Sequence, residues 1–290
     1  MKKLDKLFHN SEQIEISDNS KIVIMSDCHR GAGDNFDNFL KNQNIFKAAL
    51  QYYFDNNFTY IELGDGDELW EVKDCTDIVD VHLSSFKLIK KFYDDNRFIM
   101  IYGNHDIDKK NPNIVNSCFY KYFDNESNKY VDLLDNLIAY ESVVLRYYDK
   151  DIFLLHGHQI DFLNGSIWFI SRFLVRYVWK FLEHLGVEDL TGTGKNYHVV
   201  KGFDKKLKRW SDKNNKILIA GHTHRAIFPK VGESLYFNDG SCVYPNGITC
   251  IEIENGQIAL VRWEFEHKDK MVFASRRLIS EKVKIVDFFE

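Results

Sequence analysis

At 290 residues the chain can bury a large core, as one α/β domain or as two smaller ones. Its composition, 44% hydrophobic and 28% charged with three prolines, is that of a soluble globular protein, and a net charge of -5 gives no global case for nucleic-acid binding. Residues 1–10 carry lysines but no apolar run of about 7–15 residues, so no signal peptide is expected. No stretch of about 18 uncharged apolar residues marks a membrane span. The five cysteines (Cys28, Cys75, Cys118, Cys242, Cys250) are odd in number, scattered and without a C-x-x-C pair. That argues against a disulfide framework and for a reducing compartment, by default the cytoplasm.

No internal repeat or low-complexity linker interrupts the chain. Residues 21–26 read as a strand that runs into Asp27-Cys28-His29-Arg30, and residues 36–57 as a helix rich in Phe, Leu and Tyr. A short strand over 60–63 ends in Gly64-Asp65. Residues 79–95 have helical spacing, and a third strand over 98–102 ends in Gly103-Asn104-His105-Asp106. This order predicts a parallel sheet with helical crossovers. After a helix near 112–123, neighbouring strands are expected over 142–147 and 152–155, the second ending in His156-Gly157-His158. A helical segment runs from about 160 to 213, followed by a strand over 216–220 that ends in Gly221-His222-Thr223-His224. Residues 235–238, 248–253 and 258–263 read as antiparallel strands, with Asn255-Gly256 as a hairpin turn.

Five strands thus end in D-x-H, G-D, G-N-H-D, H-G-H and G-H-T-H. Carboxylate oxygen, amide oxygen and imidazole nitrogen are the ligands of divalent cations, and here they are concentrated at strand ends. The carboxyl ends of strands are where open α/β sheets bind ligands. Asp27 and His29, and likewise His222 and His224, occupy alternate positions, which in an extended segment point the same way. One such residue after a strand is an ordinary turn or cap residue, and the weight lies in the five together.

This set of motifs, in this order over about residues 21–240, resembles the calcineurin-like metallophosphoesterase superfamily. The resemblance implies a two-sheet α/β sandwich flanked by helices, here one domain over 1–290 with a helical cap inserted at about 160–213. It also implies two divalent metal ions, manganese, iron, zinc or similar. One would be held by Asp27, His29 and His224, the other by Asn104, His156 and His222, with Asp65 shared. His156 rather than His158 matches the ligand position. A hydroxide shared by the two cations would attack phosphorus, and His105 matches the family's catalytic histidine, which protonates the leaving oxygen or stabilises the phosphoryl charge. In layout the chain looks closest to the UDP-2,3-diacylglucosamine pyrophosphatase branch. Those enzymes carry Arg where this chain has His105, so their substrate is not carried over.

Around these blocks, Asp106 is expected to orient His105 as the third group of a triad, with Glu68 as an alternative. Arg30 is expected either to clamp a substrate phosphate or to form a surface salt bridge, and Cys28 to pack. Within 162–185, Arg172, Arg176, Lys180 and His184 recur every four residues on an otherwise apolar segment. That segment reads as a buried helix with one solvated face, as a cap for a lipid-like or aromatic substrate, or as a peripheral membrane contact. Gly192, Gly194 and Lys195 lack a full phosphate-loop pattern. The cluster Lys201, Lys205, Lys206, Lys208 and Arg209 is a solvated face or a site for a polyanion. The expected function is hydrolysis of a phosphoester (monoester, diester or pyrophosphate) of a small-molecule or lipid-like substrate. The alternatives are a catalytically silent binding module on the same fold, or a nuclease.

Overall fold

The computed structural model describes residues 1–34, 37–160, 197–268 and 271–290. In chain order the strands are β1 (Glu12–Ile16), β2 (Lys21–Met25), β3 (Thr59–Leu63), β4 (Phe98–Ile101), β5 (Lys121–Asp124), β6 (Lys129–Asp132), β7 (Ala139–Tyr140), β8 (Ser142–Tyr147), β9 (Lys150–Leu155), β10 (Ile217–Ala220), β11 (Tyr236–Asn238), β12 (Gly247–Glu254), β13 (Gln257–Lys268), β14 (Met271–Leu278) and β15 (Val283–Lys284). The α-helices are α1 (Lys2–Asn10), α2 (Gln43–Asp55), α3 (Cys75–Val81), α4 (Leu83–Asp94), α5 (Pro112–Phe119) and α6 (Tyr197–Asn214).

The period of two along β2 explains the architecture. Ile22 and Ile24 enter one apolar cluster, Val23 and Met25 another, so the strand is buried on both faces and reads as a continuous apolar run. The first cluster fills the space between two sheets. One has the order β14-β13-β12-β2-β3-β4-β7, with β15 beside β13; the other has the order β1-β8-β9-β10-β11. Ile61, Leu63 and Ile101 from the first sheet meet Val143, Leu154, Ile219 and Phe237 from the second. Val23, Met25, Tyr60 and Met100 face outward onto α2, α3, α4 and α5 through Phe46, Leu50, Val79, Phe86 and Phe119. On the far side, Phe153, Leu155 and Leu218 are covered by Leu4 of α1 and by Phe203, Leu207 and Trp210 of α6. The result is a mixed two-sheet sandwich flanked by helices. Strands β2, β3 and β4 run parallel, as do β9 and β10.

Several expectations change. The helix over 79–95 is two helices broken at His82, whose buried ring reaches Asp37 at 2.7 Å. The helix near 112–123 stops at Phe119. Residues 121–124 instead pair with β6 across a turn in which Asp124 accepts the Ser127 N–H at 3.0 Å. Residues 235–238 pair with β10 in parallel, not antiparallel. Helix α1 and strands β1 and β14 were not anticipated. Cys75 and Cys118 form a disulfide (Cα–Cα 5.3 Å), a single bridge where the scattered cysteines argued against a disulfide framework. The other three are free and buried. The cap expected over 160–213 lies largely outside the described residues, as do the membrane contact expected at 162–185 and residues 192–195; α6 is its described end. No helix among the described residues is long and apolar enough to cross a membrane.

Candidate metal centre

The five motif segments meet at the carboxyl ends of β2, β3, β4, β9 and β10. The segment after β2 continues alongside the one after β3 by backbone hydrogen bonds. Asp27 N donates to Gly64 O (3.0 Å), His29 N to Asp65 O (2.9 Å) and Arg30 N to Gly66 O (3.0 Å). The alternate side chains do not follow from a strand pleat, as the sequence suggested. Asp27 (φ 54°), His29 (φ 49°), Asp65 (φ 50°), His222 (φ 67°) and His224 (φ 53°) all lie in the left-handed region, which L-residues enter only at a cost. Strain of this kind concentrates at functional sites, where the surrounding structure enforces it. The site is also tightly closed around Asp65. A Cβ on Gly103 would lie 2.1 Å from Asp65 Oδ1, so only glycine fits there.

The side chains form three clusters of close ligand atoms, Asp27–His29–His224, Asp65–His156–His222 and, sharing a residue with each, His29–Asp65–His105, with ligand atoms in each within 4.8 Å of one another. Asp27 Oδ1 is 3.0 Å from His224 Nε2 and 3.8 Å from His29 Nε2, while the Nε2 atoms of His29 and His224 are 3.3 Å apart. Asp65 Oδ2 links them, 3.0 Å from His156 Nε2 and 3.9 Å from His29 Nε2. Among the described residues seven buried side-chain polar atoms lack a hydrogen-bond partner. Three of them, Asp27 Oδ1, Asn104 Oδ1 and His156 Nε2, belong to expected ligands. Asp27 Oδ1 and His156 Nε2 have ion-pair neighbours at 3.0 Å but no hydrogen bond, and Asn104 Oδ1 has no hydrogen bond either; buried polar atoms left so are costly, which marks a place for a further partner. The opposite ring nitrogens are engaged: His156 Nδ1 donates to Leu63 O (2.9 Å) and His29 Nδ1 to Glu68 Oε2 (2.8 Å). This leaves each Nε2 to face the cluster, the pattern in which imidazole binds metal.

The electrostatics agree. Burial works to raise the Asp27 carboxyl, but His224 and His156 outweigh it and hold it well below the usual carboxylate range. Asp65 is held low against burial by His156, His105 and His29. Conversely, burial opposes charge on His156, yet Asp65 and Asp27 push it up to about 9. The cluster therefore draws positive charge to itself, by protons when no cation is there. These residues fit divalent cations.

Not every expected residue keeps its role. Asp106 does not orient His105. It is buried and accepts backbone N–H bonds from Gly103 (2.6 Å), Gly66 (3.1 Å) and Asp65 (3.3 Å) and a bond from Lys109 Nζ (2.8 Å), tying together the two loops that carry Asp65 and Asn104. Glu68 takes the histidine instead, accepting from His105 Nδ1 at 2.6 Å. Arg30, expected to clamp a phosphate or to sit in a surface ion pair, is completely buried. Its Nη1 and Nη2 bind Glu62 at 2.8 Å each and its Nε binds Asp67 at 2.6 Å, so no donor faces the cleft. His158 is buried beside His156 (ring centroids 5.7 Å apart) and joins none of the three clusters. Cys28 packs in the core. Sequence reasoning missed Lys109, buried between Asp67 (2.7 Å) and Asp106 (2.8 Å), because a lysine after G-N-H-D carries no signal of burial. It also missed Trp70 against His105, although an aromatic five residues after Asp65 was there to be read.

A two-sheet sandwich with carboxylate and imidazole clusters at the ends of its strands defines a class of metal-site α/β proteins. The match to a family model narrows it. Residues 21–256 match the calcineurin-like phosphoesterase superfamily domain, and the chain belongs to that superfamily. A comparison with curated proteins returns no match. Solved structures similar to the chain include a conserved uncharacterized protein, a predicted phosphoesterase, from Streptococcus pneumoniae (15% identity, 89% of this chain and 98% of that one, TM-score 0.37). They also include vacuolar protein sorting 29 from Cryptosporidium parvum (14%, 90% and 98%, TM-score 0.39) and a cold-active protein-tyrosine phosphatase from a Shewanella species (14%, 92% and 83%, TM-score 0.43). Likeness at this level carries no argument about what this chain does.

Proposed function

We propose that the chain is a phosphoesterase that uses two divalent cations. Asp27, His29 and His224 hold one, Asn104, His156 and His222 hold the other, and Asp65 is shared. The observation that carries this reading is the convergence of buried ligand atoms from both proposed sets, with Asp27 Oδ1 3.0 Å from His224 Nε2, Asp65 Oδ2 3.0 Å from His156 Nε2, and the buried Asn104 Oδ1 without a hydrogen bond. A binding module that had abandoned metal would have no reason to keep so many polar ligand atoms buried against one another. Cations bound there would acidify a water toward neutral pH and draw off charge that builds on the phosphoryl oxygens.

The chain's own residues supply the rest. Glu68 accepts the Nδ1–H of His105 and leaves Nε2 to carry the proton that the leaving oxygen needs. The backbone N–H of His105 donates to Asp65 Oδ1 at 2.8 Å, so the proton donor and the shared carboxylate are fixed to each other. The substrate is a phosphoester, diester or pyrophosphate of a small or lipid-like compound, and manganese, iron or zinc suits the mixed oxygen and nitrogen set. The test is chelation, reloading with defined metals, and assay on generic mono- and diesters. Two metals per chain in the wild type, with losses of both metal and turnover in Asp65→Ala and Asn104→Ala, are expected. Wild-type turnover in either variant defeats the assignment.

A further inference from the structure

We propose that Trp70 is a positioning residue for His105, and that the indole face sets the plane of the imidazole from which the proton is delivered. This rests on the phosphoesterase reading above. The two rings stack at 4.1 Å between centroids with 21° between their planes. Trp70 is only 4% exposed, whereas the His105 side chain keeps 21% of its surface open. The indole is therefore buried under a histidine that still reaches the cleft.

An imidazole on a fixed backbone has two side-chain rotations to lose before it can hand over a proton in one direction. Glu68 removes one of them by holding Nδ1 edge-on. A hydrogen bond along the ring edge leaves the plane free to tilt about that bond. Trp70 blocks the tilt from one face, and the His29 ring, at 4.7 Å and 83°, abuts as a perpendicular neighbour. The indole does a second thing. Its Nε1–H donates to the carbonyl of Asn104 at 2.7 Å, which pins the peptide between Asn104 and His105. One short segment, residues 65–70, thus carries the shared carboxylate, the residue that holds the imidazole edge and the residue that holds its face.

The experiment separates face from N–H. Trp70→Phe keeps an aromatic face and loses the donor; Trp70→Leu loses both. With the metal-loaded enzyme, kcat of Trp70→Leu on an alkyl phosphoester, whose poor leaving group needs a proton, is expected to fall about tenfold to a hundredfold with KM changed less than about threefold. On an activated aryl ester the fall is expected to stay under about threefold, and Trp70→Phe is expected to recover most of the loss on the alkyl ester. Equal losses on both esters, or no loss on either, overturn the proposal. A second readout needs no activity. In the metal-free protein the His105 ring-proton NMR signals, assigned by their disappearance in His105→Gln, are expected to be displaced by the indole ring current and to return to ordinary positions in Trp70→Leu. Undisplaced wild-type signals overturn the stack whatever the enzyme does. Displaced signals in a protein that hydrolyses neither ester remove the phosphoesterase reading, and the positioning role falls with it.

Discussion

Glu68 Oε1 accepts from His105 Nδ1 at 2.6 Å, and the other oxygen of the same carboxylate accepts from His29 Nδ1 at 2.8 Å. One side chain therefore fixes the tautomer of the proposed proton donor and of a proposed ligand. Glu68→Gln is expected to lower metal affinity at the first site by about tenfold to a hundredfold, since outer partners of ligating histidines have effects of that size. It is also expected to slow turnover of alkyl esters more than of aryl esters. Metal titration and paired kinetics check both, and unchanged behaviour in the two assays removes the bridging role.

Arg30 gives a contrasting expectation. Arg30→Met leaves the buried carboxylates of Glu62 and Asp67 without their guanidinium, and breaking a buried ion pair from one side costs about 3–5 kcal/mol. Denaturant unfolding is expected to show that loss, while KM for a phosphoester in the folded enzyme stays where it was. A KM rise without lost stability returns Arg30 to the cleft.

The imidazoles make stability depend on pH in opposite ways with and without metal. His156 is pushed from an ordinary 6.5 up to about 9. A raised pKa means that its stabilisation is complete below about 6.5 and is lost as pH rises toward about 9. The chelated protein is therefore expected to melt at progressively lower temperature across that window. The loaded protein, whose ligands have given up their protons, is not, so the gap between the two melting temperatures widens with pH. A gap that narrows from pH 6.5 to 9 contradicts the arrangement.

The disulfide between Cys75 and Cys118 joins the helix after the Asp65 loop to the helix after the Asn104 loop and spans 43 residues. Closing a loop of that size stabilises by about 4 kcal/mol in the chain-entropy picture. Cys75→Ala with Cys118→Ala is expected to lower the melting temperature by several degrees while leaving metal stoichiometry intact. Equal melting of the bridged and the doubly substituted protein disposes of the bridge as a stabilising element.

The seven proposed ligands were readable because each sits where an apolar run stops, and oxygen and nitrogen side chains seldom gather there by chance. Their backbone was not readable, since nothing in D-x-H distinguishes an extended pair from a left-handed one. Arg30 was misread for a similar reason. Adjacency to His29 says nothing about which side of the sheet its side chain takes. The clue was Glu62, a charge inside the apolar run of β3 that needed a buried partner. Asp106 and Glu68 were both named as holders of His105, and nearness in sequence favoured the wrong one. Edge elements such as β14, four apolar residues followed by Ser275, Arg276 and Arg277, lack the alternation that announces a strand.

The left-handed ligands have an evolutionary consequence. Asp27, His29, Asp65, His222 and His224 each hold a backbone shape that glycine adopts with less strain. If the proposed metal role were given up, glycine at these positions would relieve that strain, so loss of the site would run downhill in stability and its recovery uphill.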